Sequence, residues 1–94
     1  MRLEIGKEQR LALKRQAHSL EPVVLVGNKG LTPAVIAEIE VALKAHELIK
    51  IKLRGLDKEE RETAIATLTD QLNAATVTSI GFVVALYRPK PKES

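Results

Sequence analysis

The chain has 94 residues, 45% of them apolar, with 15 Lys and Arg against 12 Asp and Glu, two His and no Cys. This reads as one globular domain with a thin core, and it excludes a disulfide framework, thiolate metal sites and a cysteine nucleophile. Two His argue against a His-rich metal centre as well. No apolar run approaches the ~20 residues needed to span a bilayer. Met1-Arg2-Leu3-Glu4-Ile5-Gly6 is not followed by the apolar stretch of a secretory signal, so the cytoplasm is the expected compartment.

In chain order, the first helix is expected from about Lys7 to Ser19, with Leu13, Ala17 and Leu20 as its buried stripe. Lys7, Lys14, Arg15 and His18 fall mainly on the other side, where Leu11 breaks the pattern. Pro22-Val23-Val24-Leu25-Val26 is a short, continuous apolar run ending at a glycine. It suits a central strand covered on both faces. After Gly27-Asn28-Lys29-Gly30, Thr32-Pro33 forms a helix start, with Thr at the N-cap and Pro at the first helical position. This second helix is expected to reach about Ala45 and to be well buried through Ile36, Ile39 and Leu43, with Val35 and Val41 widening the stripe.

Leu48 to Leu53 alternates: Ile49, Ile51 and Leu53 point one way, and Lys50, Lys52 and Arg54 the other. Gly55 ends the strand, and Asp57-Lys58-Glu59-Glu60 has the form of a capping box. The third helix is expected to run to about Asn73, burying Ile65, Leu68 and Leu72. Thr76 to Ser79 and Phe82 to Tyr87 are the last strands, a hairpin turning at Ile80-Gly81. The order α-β-α-β-α-β-β predicts an α/β chain of the α+β two-layer kind, with a four-stranded mixed sheet whose first two strands are parallel through a right-handed crossover. The domain is expected over residues 1–88, with 89–94 as a flexible basic Pro/Lys tail.

Charge is unevenly placed. Residues 1–30 carry a net +3, residues 44–54 +3, residues 57–70 −3, and the tail after Leu86 +2. Gly27-Asn28-Lys29-Gly30 joins a strand to a helix N-terminus, where glycine allows close backbone approach and positive φ, and where helix N–H groups favour an anion. A Gly-x-x-Gly loop of this kind clamps nucleotide backbones in KH domains; an ordinary tight turn would also use these glycines. The loop lacks the ending of a P-loop and the length of a dinucleotide fingerprint. Lys50, Lys52 and Arg54, with Lys7, Arg10, Lys14 and Arg15, form a second candidate, a basic face suited to phosphates. A merely solvated surface would carry the same charges. His18 and His46 have no third ligand at metal spacing, and the acidic residues around Glu59, Glu60 and Glu62 are explained by helix capping. No catalytic constellation presents itself, so no enzyme activity and no cofactor are expected. The scarcity of aromatics, Phe82 and Tyr87 alone, argues against base stacking of the RRM kind.

The stretch from Leu13 to Thr32, LKRQAHSLEPVVLVGNKGLT, resembles the signature of the CRM domain (chloroplast RNA splicing and ribosome maturation), whose stand-alone prokaryotic form is the YhbY family. Ala45-His46-Glu47-Leu48-Ile49-Lys50-Ile51-Lys52, Ile80-Gly81 and Leu86-Tyr87-Arg88 fit the same pattern, so the resemblance runs from about Ile5 to Pro89. It implies a fold related to the C-terminal domain of translation initiation factor 3. It also implies RNA binding through Gly27, Asn28, Lys29 and Gly30, and association with precursors of the large ribosomal subunit. Family members often have Gly-Lys-x-Gly in the loop; here Asn28 takes the lysine position and Lys29 follows it. The expectation is a non-enzymatic, monomeric RNA-binding protein with rRNA as partner, no membrane and no small-molecule substrate. The alternative is a protein–protein adaptor whose charges serve solubility only.

Overall fold

The computed structural model describes residues 3–90. The expected tail lies in part, from Pro91 to Ser94, outside the described residues. The elements are α1 (Lys7–His18), β1 (Pro22–Val26), α2 (Pro33–His46), β2 (Leu48–Leu53), α3 (Lys58–Leu72), β3 (Ala75–Ile80) and β4 (Val83–Tyr87). They build one four-stranded sheet in the order β1-β2-β4-β3. β1 and β2 are parallel, and β4 is antiparallel to both of its neighbours, β2 and β3.

Local chemistry sets the helix ends. Thr32 Oγ1 accepts from the Val35 N–H at 3.2 Å, and Pro33 occupies the first turn, where its missing N–H has no cost. Asp57 Oδ1 accepts from the Glu60 N–H at 2.8 Å and Glu60 Oε1 from the Asp57 N–H at 2.9 Å, a complete capping box. Asn73 closes α3 in the left-handed conformation (φ 52°), and Glu47 closes α2 at φ 62°. In the hairpin, Gly81 (φ 58°) occupies the first turn position, as a two-residue turn of the II′ kind requires. Phe82 therefore belongs to the turn and not to the strand.

β1–α2–β2 and β2–α3–β3 are both parallel connections that advance across the sheet in the same direction. Right-handed crossovers then put α2 and α3 on one face. That face holds the main core, where Val24, Val26, Ile49, Ile51, Leu53, Val84 and Leu86 meet Ile39 and Leu43 of α2 and Leu68 and Leu72 of α3. Each fully buried Ile or Leu contributes about 1.5–3 kcal/mol. The expected two layers gain a partial third, because α1 alone covers the opposite face, packing Leu13 and Ala17 against Leu48, Val77 and Ala85.

Three expectations need correction. β1 is an edge strand, not a central one, and Val23 and Leu25 are 51% and 55% exposed because α1 does not reach over them. Val41 is 65% exposed: it lies two residues from both Ile39 and Leu43, on the opposite side of α2 from the core. Leu20 lies beyond the end of α1 and is exposed. Leu11 is exposed for the same reason as Val41, standing two residues before Leu13. Arg88 ties the chain together after β4. Its guanidinium grips both carboxylate oxygens of Glu40 on α2, and Nη1 also donates to the Leu72 carbonyl at 3.0 Å.

Candidate nucleic-acid interface

β1 and β2 both end at one end of the sheet, and the β3–β4 turn lies there too. Three loops therefore gather at that end. The Arg54 N–H donates to Val26 O at 2.9 Å and the Leu53 N–H to Phe82 O at 2.7 Å, which ties the Gly27–Gly30 loop, the Arg54–Leu56 turn and the hairpin tip side by side. The Gly27–Gly30 segment is a tight turn closed by Gly30 N–H to Gly27 O at 2.9 Å. Of its two glycines only Gly30 uses a positive φ (74°); around Gly27 nothing lies within 4 Å of where a side chain would begin. Asn28 and Lys29 stand exposed at the tip.

Gly55 supports this loop from behind. Its φ is +77°, and a Cβ there would sit 3.0 Å from Asn28 Cβ and 3.3 Å from Asn28 Cα. The N-terminus of α2, expected to offer free N–H groups to an anion, has less to give: Thr32 takes the Val35 N–H and Pro33 has none. The groups this loop leaves open to an anion are therefore the turn backbone and Lys29. On its other side, an open depression of about 550 Å³ lies between Gly30 and Leu31 and the acidic first turn of α3, with Asp57, Glu59 and Glu60 along its wall. That wall repels phosphate and leaves the cationic side of the loop as the open approach.

The basic residues divide into two groups. Lys50 and Lys52 project from the face of β2 that α1 partly covers, and Arg54 follows in the turn. The expected face of three free cations is thus narrower. Leu48 is buried there under α1, Lys50 is half-buried with Nζ donating to Leu20 O at 3.0 Å, and Arg54 lies past the strand. Lys14 and His18 of α1 line the same 260 Å³ cavity as Lys50. Lys14, Lys50, Lys52 and Arg54 therefore form a track that leads to the loop carrying Lys29. Arg10 is drawn away, its guanidinium donating to Thr76 O on the edge strand β3. Lys7 lies one further turn out on α1, and Arg15, two residues from Leu13, points off the sheet.

In the sequence the acidic run around Arg61 hides it. It donates to Leu56 O at 2.9 Å and stacks 4.8 Å over the Phe82 ring, bracing the hairpin tip against α3. The sequence gives no sign of the exposed apolar residues beside the lysines, Leu25 and Ile80. In the unbroken run of β1 nothing marks which residues face the core. Among the described residues no group of three His, Asp or Glu could hold a metal ion, and no helix is long and apolar enough to cross a membrane.

The chain is similar in sequence and in fold to known proteins. A protein of Haemophilus influenzae named an RNA-binding protein is 46% identical over 85 residues, covering 90% of this chain and 86% of that protein. One from Pseudomonas aeruginosa, named a probable RNA-binding protein, is 39% identical over 90 residues, covering 96% and 86%. A solution structure from Staphylococcus aureus, 23% identical, superposes with a TM-score of 0.83 over 97% of this chain and 95% of that one, and so shares the fold. The profile of the CRS1 / YhbY (CRM) domain matches residues 5–88, and the chain belongs to that family.

Proposed function

We propose that this protein is a non-enzymatic RNA-binding domain that acts in the cytoplasm, as a monomer, on rRNA in precursors of the large ribosomal subunit. The backbone of Gly27 and Gly30 approaches the phosphates, Lys29 supplies a point charge, and Arg54, Lys52, Lys50 and Lys14 extend the electrostatic footprint. The observation that carries this reading is the Gly27–Gly30 turn held beside Arg54 at one end of the sheet, with Lys52, Lys50 and Lys14 following back along the face that α1 partly covers. The names of relatives up to 46% identical support RNA as the ligand. Phosphate contacts suit such a surface, because each neutralised phosphate releases counterions and adds affinity without reading sequence.

The test is sucrose-gradient fractionation of lysate with and without RNase, following this protein. Migration with large-subunit precursors, and release by RNase, is the expected result. Persistence at the top of the gradient in both samples overturns the assembly role. Lys29→Glu combined with Asn28→Asp separates RNA binding from the adaptor alternative: RNA affinity collapses with the fold intact if the loop is the clamp, and an adaptor is indifferent to the change.

A further inference from the structure

With α2 and α3 packed on one face of the sheet, the other face is left to α1. A helix of 12 residues is about 18 Å long, and α1 spends its contacts on Leu48, Val77 and Ala85. The end of that face nearest the Gly27–Gly30 loop stays open. Register pairs Leu25 with Lys52, Lys52 with Val83, and Val83 with Ile80, so these four side chains form one row across all four strands. At ~4.8 Å between neighbouring strands the row is about 14 Å wide. Leu25 is 55% and Ile80 70% exposed, and Val83 is half-buried. The next row inward holds Lys50, paired with Ala85 and then Thr78. Lys14 and His18 of α1 border the cavity between the two rows.

Building on the RNA reading above, we propose that this row is a docking track for unpaired nucleotides, continuous with the loop through the end of β1. Bases lie on Leu25, Val83 and Ile80, and phosphates meet Lys52, Lys50 and Lys14. The pattern of the patch argues for this occupant. Aliphatic Leu25, Val83 and Ile80 in one row with Lys52, and Lys50 and Lys14 beside it, match a ligand that offers both flat apolar faces and anions, which is unpaired RNA. A duplex keeps its base faces stacked inside and presents only sugar and phosphate, leaving the aliphatic row without a partner. The row contains no aromatic, so packing on aliphatic side chains gives a smaller gain per base than aromatic stacking does.

The experiment measures fluorescence anisotropy with a short, unstructured pyrimidine-rich RNA and with a duplex of the same length. The proteins are the unmodified chain, Leu25→Thr/Ile80→Thr, and Lys29→Glu. Both sites of the threonine pair are exposed and on strands, so the fold is retained, as circular dichroism checks. The expected result is preference for the single strand, lowered about tenfold by the threonine pair, with duplex affinity and salt slope unchanged because no charge is removed. If the threonine pair leaves single-strand affinity unaltered while Lys29→Glu abolishes it, the track is refuted and RNA binding through the loop stands. If the unmodified chain binds neither RNA, the RNA reading and the track fall together. A Leu25- and Ile80-dependent dimer in sedimentation, with no change in RNA affinity, assigns the face to self-association and overturns the track.

Discussion

Replacing each of three glycines by alanine separates backbone strain from steric contact and from ligand approach. Gly30 has φ +74° and open space around its Cα, so Gly30→Ala meets strain alone. A left-handed non-glycine residue costs about 1–2 kcal/mol, offset in part by the unfolded-chain entropy that alanine removes, for a net cost of about 1 kcal/mol. For a domain of this size that is a fall in Tm of about 4–8 °C. Gly55→Ala meets the same strain at φ +77° and in addition a Cβ 3.0 Å from Asn28 Cβ, so the loop must yield by a few tenths of an ångström. The combined cost is about 2 kcal/mol. Because the displaced residue is Asn28, RNA affinity is expected to fall as well, although Gly55 lies behind the Gly27–Gly30 loop. Gly27→Ala has neither strain nor contact. Its Tm stays at the original value or rises slightly, while RNA affinity drops because the added methyl holds the phosphate backbone off. Thermal melts followed by circular dichroism and RNA titration by anisotropy measure both quantities for all three variants. If Gly55→Ala melts and binds like the unmodified protein, the loop is not held by its contact with Gly55 and the reasoning fails. If Gly27→Ala binds RNA unchanged, the close backbone approach is wrong.

Charge removal on the track differs from removal off it: Lys52→Ala reduces the dependence of log affinity on log salt by about one unit, and Arg15→Ala leaves it unchanged. RNA affinity that barely changes between low and moderate salt refutes phosphate contacts altogether. The Arg88 guanidinium, by hydrogen bonding to Glu40 and by its charge, holds the Glu40 carboxyl below its ordinary 4.5, against the opposing effect of burial. Unfolding therefore raises that pKa, and the unfolded chain binds more protons in the interval between the two values, so stability rises with pH there. Glu40→Gln is expected to cost about 1 kcal/mol at pH 7 for a partly exposed charged pair. The difference from the unmodified protein should narrow as pH falls below 4.5, which denaturant titrations at a series of pH values measure. A gap that is constant down to acid pH assigns the loss to packing. At Glu47, φ 62° and ψ −50° are strained for a side-chain-bearing residue. Glu47→Gly should raise Tm by several degrees, for a gain of about 1 kcal/mol, and a lower Tm means that the Glu47 side chain contributes more than its backbone costs.

Much of this fold is legible residue by residue. Thr32-Pro33, the Asp57–Glu60 capping box and Gly81 each mark an element boundary through local hydrogen bonding or φ, which depend only on near neighbours. The alternation in β2 likewise separates Ile49, Ile51 and Leu53 from Lys50 and Lys52, because strand geometry places successive side chains on opposite faces. β1 behaves differently. Val23, Val24, Leu25 and Val26 are alike in hydropathy, yet Val24 and Val26 are buried while Val23 and Leu25 face water. An edge strand and a central strand can share one sequence, since what covers a strand is decided by partners distant in the chain.

The sequence by itself determines the seven elements, the Thr32 and Asp57 caps, the Gly27–Gly30 turn and the family, because helix periodicity, capping and turn geometry are short-range. Only the tertiary structure decides the strand order, the exposed row from Leu25 to Ile80, the capture of Arg10 by Thr76, and the support of Asn28 by Gly55. Each joins residues far apart in the chain. Their contacts follow from the handedness of two crossovers and from how much of one sheet face a single short helix can cover.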